Sequence, residues 1–96
     1  MEIDKKYLEE MLERGKNTIP LYFYDAIYRY VIHRIPTGGF LWAVLEHDLF
    51  ETYARADQDS LRHIHSLVKF IYNDAPSVCH GSPAKVAEWL EGRNVD

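Results

Sequence analysis

The residues best suited to chemistry form the turn Pro36-Thr37-Gly38-Gly39-Phe40, which opens the third predicted helix. The first turn of a helix leaves backbone N–H groups without intrahelical partners, and the helix dipole adds partial positive charge there. Glycines let the backbone approach a ligand closely and permit positive φ angles. The turn therefore predicts a site for a phosphate or carboxylate. The alternative is a tight chain reversal, because the full dinucleotide-binding or P-loop spacing is missing.

Basic side chains on the preceding helix could complete such a site. Arg29, His33 and Arg34 come shortly before the turn. They lie in the one clearly positive part of the chain, since residues 16–39 hold three basic side chains and one acidic one. This charge favours an anionic group close to the turn.

Four tyrosines on the same helix could supply aromatic rings for stacking on a base. We expect Tyr24 and Tyr28 in the core, and Tyr22 and Tyr30 either in a pocket or interface or simply on the surface. The predicted ligand-binding residues are Tyr22, Arg29, Tyr30, His33, Arg34, Thr37, Gly38 and Gly39.

Catalytic and metal-binding patterns are weaker. His63 and His65 diverge by about 200° on a helix, so they cannot share an ion. A single cysteine, Cys79, offers no zinc site by itself. The pair His47-Asp48 gives only a compressed imitation of the His-Asp metal phosphohydrolases. We therefore predict no catalytic residue, no metal and no cofactor.

Helical spacing, capping residues and Gly or Pro breaks divide the chain into five elements. Asp4 with Gly15, and Ser82 with Gly92, mark the ends of the first and last helix. Asp57 or Asp59 would cap the fourth helix. Thr18 or Ile19 would cap the second, with Pro20 in its first turn. The expected architecture is one all-α domain, residues 1–96, with helices at about 4–14, 20–34, 38–56, 58–72 and 83–91.

The composition adds an expectation about assembly. The 96 residues are 47% hydrophobic and include thirteen aromatic side chains, a rich apolar content for so small a domain. The surplus lies on the second helix, from Leu21 to Ile35, and at Phe40 to Leu45. It predicts a homo-oligomer that buries this surface.

Charge and hydropathy exclude other classes. The net charge of −4 argues against general nucleic-acid binding. The longest apolar run, Phe40 to Leu45, is too short for a membrane span, and the acidic start of the chain carries no apolar leader. We expect a cytoplasmic protein that does not engage membranes.

Between Ile35 and Leu90, over more than half of the chain, one set of residues forms a recognisable pattern: Ile35 to Leu41, Ala43 to Leu45, Asp48-Leu49, Arg55 to Asp57, Tyr72-Asn73, Ala75-Pro76, Cys79, Gly81 to Pro83 and Trp89. In this pattern the chain resembles a family of small uncharacterised proteins encoded by phages and prophages. The chain departs from that pattern at His47, where the family has Asn, and at His80, where it has Trp, which argues against a catalytic or metal role for either. The resemblance implies a protein of an infected or lysogenic host cell.

Together these observations predict a non-enzymatic counter-defence protein that sequesters a small anionic, nucleotide-like ligand. One alternative is a protein-binding inhibitor or adaptor that applies an aromatic surface and an acidic face to a host defence protein. A small metal-dependent hydrolase is the remaining alternative, and it requires assembled acid–base groups that the sequence does not show.

Overall fold

A computed structural model describes residues 4–92, and over that range the chain is helical without strands. The prediction of an all-α fold is confirmed. None of the helices in this range is long and apolar enough to cross a membrane. Residues 4–92 contain six α-helices: α1 (Lys5–Glu13), α2 (Leu21–His33), α3 (Gly39–Leu45), α4 (Leu49–Arg55), α5 (Gln58–Asp74) and α6 (Pro83–Glu91). Short 3₁₀ turns lie at Lys16–Thr18 and Ser77–Cys79.

The third predicted helix is in fact two helices, α3 and α4. His47 adopts a left-handed φ of +63°. The N–H of His47 donates to the carbonyl of Val44, and the N–H of Asp48 donates to that of Ala43. Both N···O distances are 3.0 Å, and these two bonds end α3. Asp48 then caps α4 by accepting the N–H of Glu51 at 3.1 Å. The prediction of one continuous helix was wrong because Asp48 starts a new helix.

The capping predictions for α5 and α6 are confirmed. Asp57 accepts the N–H of Ser60 at 2.8 Å, and Ser82 accepts the N–H of Lys85 at 3.1 Å. Gly92 ends α6 with a left-handed φ of +80°. Local capping chemistry is therefore sufficient to place these helix ends.

Two helix ends near the N-terminus differ from the predictions. Gly15 has a φ of −104°, so it is no left-handed cap. A side chain there would collide with Phe70 and Asp74 of α5, which explains why a glycine fits. The N-cap of α2 is Pro20, whereas the sequence suggested Thr18 or Ile19.

Helix α2 forms the centre of the core. Six of its side chains are buried: Phe23, Tyr24, Ile27, Tyr30, Val31 and Ile32. Trp89 of α6 is fully buried beside it and donates its indole N–H to the carbonyl of Tyr30 at 3.2 Å. Leu41 to Leu45 of α3 are also buried, apart from the half-buried Trp42. Most of the apolar surplus that the sequence assigned to an assembly surface is therefore core.

Candidate functional site

The predicted ligand-binding residues are spread over the molecule. Tyr22 lies at the start of α2 and Arg34 just after its end, about 18 Å apart at the rise of an α-helix. Tyr22 is exposed and donates its hydroxyl to Asp59 of α5. These two ends of α2 cannot contact the same small ligand.

Two of the predicted residues are engaged with the C-terminal part of the chain. Tyr30 is buried and donates its hydroxyl to the carbonyl of Cys79 at 2.6 Å. Arg34 donates to the carbonyl of Trp89, and its guanidinium lies 3.5 Å from the centre of the Trp89 ring. Burial lowers the pKa of Arg34. Both side chains join α2 to α6 and the turn before it.

The Gly38-Gly39 turn does start α3, but without the conformation that the glycines permit. Gly38 is the N-cap with a φ of −69°, and Gly39 is not among the glycines with positive φ. Thr37 donates its hydroxyl to the carbonyl of Gly38 at 3.0 Å. Helix α3 has only seven residues, so its start offers a weak dipole for an anion.

A polar depression of about 350 Å³ lies beside this turn, between α3 and α4. The guanidinium of Arg55 occupies the space where Gly39 lacks a side chain, and it pairs with Glu51 at 2.7 Å. Glu46 lines the same depression and accepts the indole N–H of Trp42 at 2.6 Å. Two carboxylates against one guanidinium leave this depression negative, which disfavours an anionic ligand.

Arg29 and His33 remain on the surface. They are exposed one turn apart on α2, and the ring of His33 lies 6.0 Å from that of Tyr28. The structure thus leaves two of the predicted basic groups open to solvent.

The carboxylates and the thiol that could take part in acid–base or nucleophilic chemistry have structural roles. Asp48 and Asp57 cap helices, and Asp59 accepts a hydrogen bond from Tyr22. Cys79 is fully buried, and burial raises the pKa of its thiol to about 12, which disfavours a nucleophilic thiolate. Among residues 4–92, no group of three or more His, Cys, Asp or Glu side chains is placed to hold a metal.

His47 and His80 contact each other, although 33 positions separate them. His47 Nε2 and His80 Nδ1 lie 2.9 Å apart, so one ring donates and the other accepts. His80 is buried, and within the described part of the chain its Nε2 has no hydrogen-bond partner. Burial, followed by the charges of His47 and Lys85, lowers the pKa of His80 to about 4. The pair joins the bend between α3 and α4 to the start of α6.

The most distinctive surface is apolar and lies along α4 and α5. Phe50 is 83% exposed and Tyr72 is 77% exposed, values more typical of charged side chains. We call this surface the α4–α5 face and define it by six exposed side chains: Leu49, Phe50 and Tyr53 on α4, and Leu61, Val68 and Tyr72 on α5.

A groove of about 200 Å³ runs between the two helices within this face. Leu49 and Thr52 of α4 form one wall, and Val68 and Tyr72 of α5 form the other. His47 is the one titratable imidazole in the lining, and no carboxylate, ammonium or guanidinium group takes part. An apolar, nearly uncharged groove between two helices is suited to apolar side chains of another protein.

Sequence reasoning missed the α4–α5 face because it assigned too many apolar residues to the inner side. The spacing in the fourth predicted helix places Leu61 and Val68 on one stripe with Ile64 and Ile71. In the structure Ile64 and Ile71 are buried, whereas Leu61 and Val68 are about half exposed. One signal in the sequence could have shown that part of α5 is exposed. Its apolar residues span a wider arc of the helix circumference than one neighbouring helix can cover.

The chain was compared with protein families, curated proteins and solved structures, and the function is inferred from the geometry described above. No protein family, curated protein or solved structure matches the chain.

Proposed function

We propose that the protein is a non-enzymatic protein-binding module, an inhibitor or adaptor that covers part of a partner protein with its α4–α5 face. The observation that carries this proposal is the exposure of three aromatic side chains, Phe50, Tyr53 and Tyr72, around an apolar groove. Exposed apolar surface of this kind marks contact sites for other proteins.

The energetics favour a protein over a small polar ligand at this face. Removing an apolar side chain from water is favourable in proportion to its area, and aromatic side chains dominate the energy of many interfaces. The groove lining offers few polar groups that could fix the orientation of a nucleotide. The acidic side chains Glu46 and Glu51 flank α4 on its other side and would favour a partner with basic groups near its apolar surface.

The resemblance to phage proteins supports a partner in the infected bacterium, such as a host defence protein. Affinity capture from host lysate tests the proposal with three forms of the chain: wild type, Phe50→Asp, and Tyr7→Asp as the matched control. Tyr7 is also an exposed aromatic, 57% accessible, but it lies on α1. We expect a stoichiometric protein with wild type and Tyr7→Asp, and its loss with Phe50→Asp. Equal recovery with Phe50→Asp, or no stoichiometric protein at all, would contradict the proposal.

Sequestration of a nucleotide-like ligand receives less support from the geometry. Of the predicted ligand-binding residues, Arg29 and His33 are exposed basic groups, whereas Arg34 stacks on Trp89 and Tyr30 is buried. Thermal shift measurements with linear and cyclic nucleotides test this alternative. We expect no stabilisation by any of them. A shift that Arg29→Ala abolishes would favour ligand binding over the proposed function.

A further inference from the structure

We propose that the α4–α5 face pairs with a second copy of this chain, in a two-fold dimer that places α4 of one copy over α5 of the other. This inference rests on the proposed function, because both treat the face as a protein-contact surface. The dimer is then the form of the free protein, and a partner protein has to displace the second copy.

The area of the face is close to what a dimer needs. Taking about 200 Å² for a whole aromatic side chain, Phe50, Tyr53 and Tyr72 leave on the order of 400 Å² exposed. The aliphatic side chains Leu49, Leu61 and Val68 are each about half exposed and enlarge this area. A specific interface of standard size buries about 800 Å² on each partner. The six side chains and their polar surroundings are enough for an interface at the lower end of that range.

The charges on the two sides of the face select one of the possible two-fold arrangements. On the outer side of α4, the depression shared with α3 holds Glu46 and Glu51 against a single Arg55 and is negative. On the outer side of α5, a second depression is lined by Lys69, His65 and Asp74, so its one ammonium group is balanced by one carboxylate. A two-fold axis that places α4 of one copy over α5 of the other sets each negative depression beside the balanced depression of the other copy, and so keeps the two negative depressions apart.

Shape complementarity supports the same arrangement. Phe50 is the most exposed large hydrophobic side chain of the described chain and follows Leu49, which lines the groove. The groove volume of about 200 Å³ exceeds the roughly 150 Å³ of a protein cavity known to hold benzene, so a phenyl ring fits. In a two-fold interface, each Phe50 can enter the groove of the other copy, beside Val68.

Sedimentation equilibrium over a wide concentration range tests the dimer. We expect wild type to associate to twice the chain mass of 11.3 kDa. Phe50→Asp should weaken dimerisation by at least about 30-fold, as expected for a buried aromatic anchor. The control Tyr7→Asp should dimerise like wild type. A wild-type protein that stays monomeric, or a dimer that Phe50→Asp leaves unchanged, would overturn the proposal.

Cysteine cross-linking tests the arrangement of the two copies. Chains carrying Phe50→Cys and chains carrying Val68→Cys are mixed under mild oxidation. The native Cys79 is buried, and wild type treated in the same way gives the background level of cross-linking. The proposal predicts a disulfide-linked dimer in the mixture and much less with either variant alone. Equally efficient linkage of Phe50→Cys to itself would overturn the placement of α4 over α5.

The two proposals fail in distinguishable ways. If wild type is monomeric but capture of a host protein still depends on Phe50, the dimer is wrong and the proposed function stands. If the dimer forms through Phe50 and no host protein is captured, self-association stands and the inhibitor or adaptor function is wrong.

Discussion

Helix α2 and the α4–α5 face carry similar apolar side chains, but those of α2 are mostly buried and those of the face are exposed. On α2, Ile27 and Tyr30 are at most 1% exposed, and Trp89 packs against the helix. On the α4–α5 face, Phe50 and Tyr72 are more than three quarters exposed. In a 96-residue chain, the side chains that stabilise the fold are thus largely separate from those available to a partner.

The difference follows from what lies beside each helix. Helix α2 packs against α1, and its far end is held to the C-terminal part of the chain by Tyr30 and Arg34. Helices α4 and α5 follow one another in sequence, and the outer surface of their junction has no further helix of the described chain across it. Substitutions in the two regions should therefore change different properties, stability for α2 and association for α4–α5.

Shortening a core side chain of α2 should have the largest effect on stability. Ile27 is fully buried, and Ile27→Ala removes apolar contacts and leaves a cavity. We expect a loss of about 3 kcal/mol in the free energy of unfolding, measured by urea denaturation. A loss below about 1 kcal/mol would show that α2 is not the centre of the core.

Acid should weaken the fold through His80. The pKa of this buried imidazole is lowered to about 4, against about 6.5 for a free histidine. Between these values the unfolded chain binds more protons than the folded chain. Stability is therefore complete above about pH 6.5 and falls as the pH drops towards 4, by roughly 2 kcal/mol.

Urea denaturation at several pH values measures this loss, with His80→Phe as the control. The variant lacks the titrating group, so its stability should fall less than that of wild type between pH 6.5 and 4. Parallel pH profiles for the two proteins would mean that other groups, and not His80, cause the acid sensitivity.

The smallest effect on stability is expected on the α4–α5 face. Because Phe50 is 83% exposed, Phe50→Ala should change the free energy of unfolding by less than about 0.5 kcal/mol. Urea denaturation of a dilute sample, where dimers are scarce, gives this value. A loss comparable to that of Ile27→Ala would remove the distinction between the two regions.

Much of the fold could be predicted from the sequence because helix caps are local. Asp57 and Ser82 each accept a backbone N–H at the start of a helix, and Gly92 ends α6 in the left-handed conformation. The break at His47 was harder to predict, because a non-glycine residue takes the left-handed conformation there.

The candidate site could not be predicted in the same way, because it depends on tertiary packing. Basic and aromatic residues near Gly38-Gly39 suggest a ligand site by proximity in sequence. In the structure the guanidinium of Arg34 stacks on the ring of Trp89. Arg55, from a different helix, fills the space beside Gly39. Which apolar stripe of α5 faces solvent likewise depends on where α1 and α3 pack, and spacing along one helix does not contain that information.

Photo-cross-linking in living cells tests most directly whether the α4–α5 face is a protein-contact surface. A photoreactive phenylalanine analogue replaces Phe50 in one form of the chain and the exposed Tyr7 of α1 in another. Our interpretation predicts discrete covalent adducts, to a second copy or to another protein, from position 50 and few from position 7. Equal labelling from both positions, or no adduct from position 50, would contradict it.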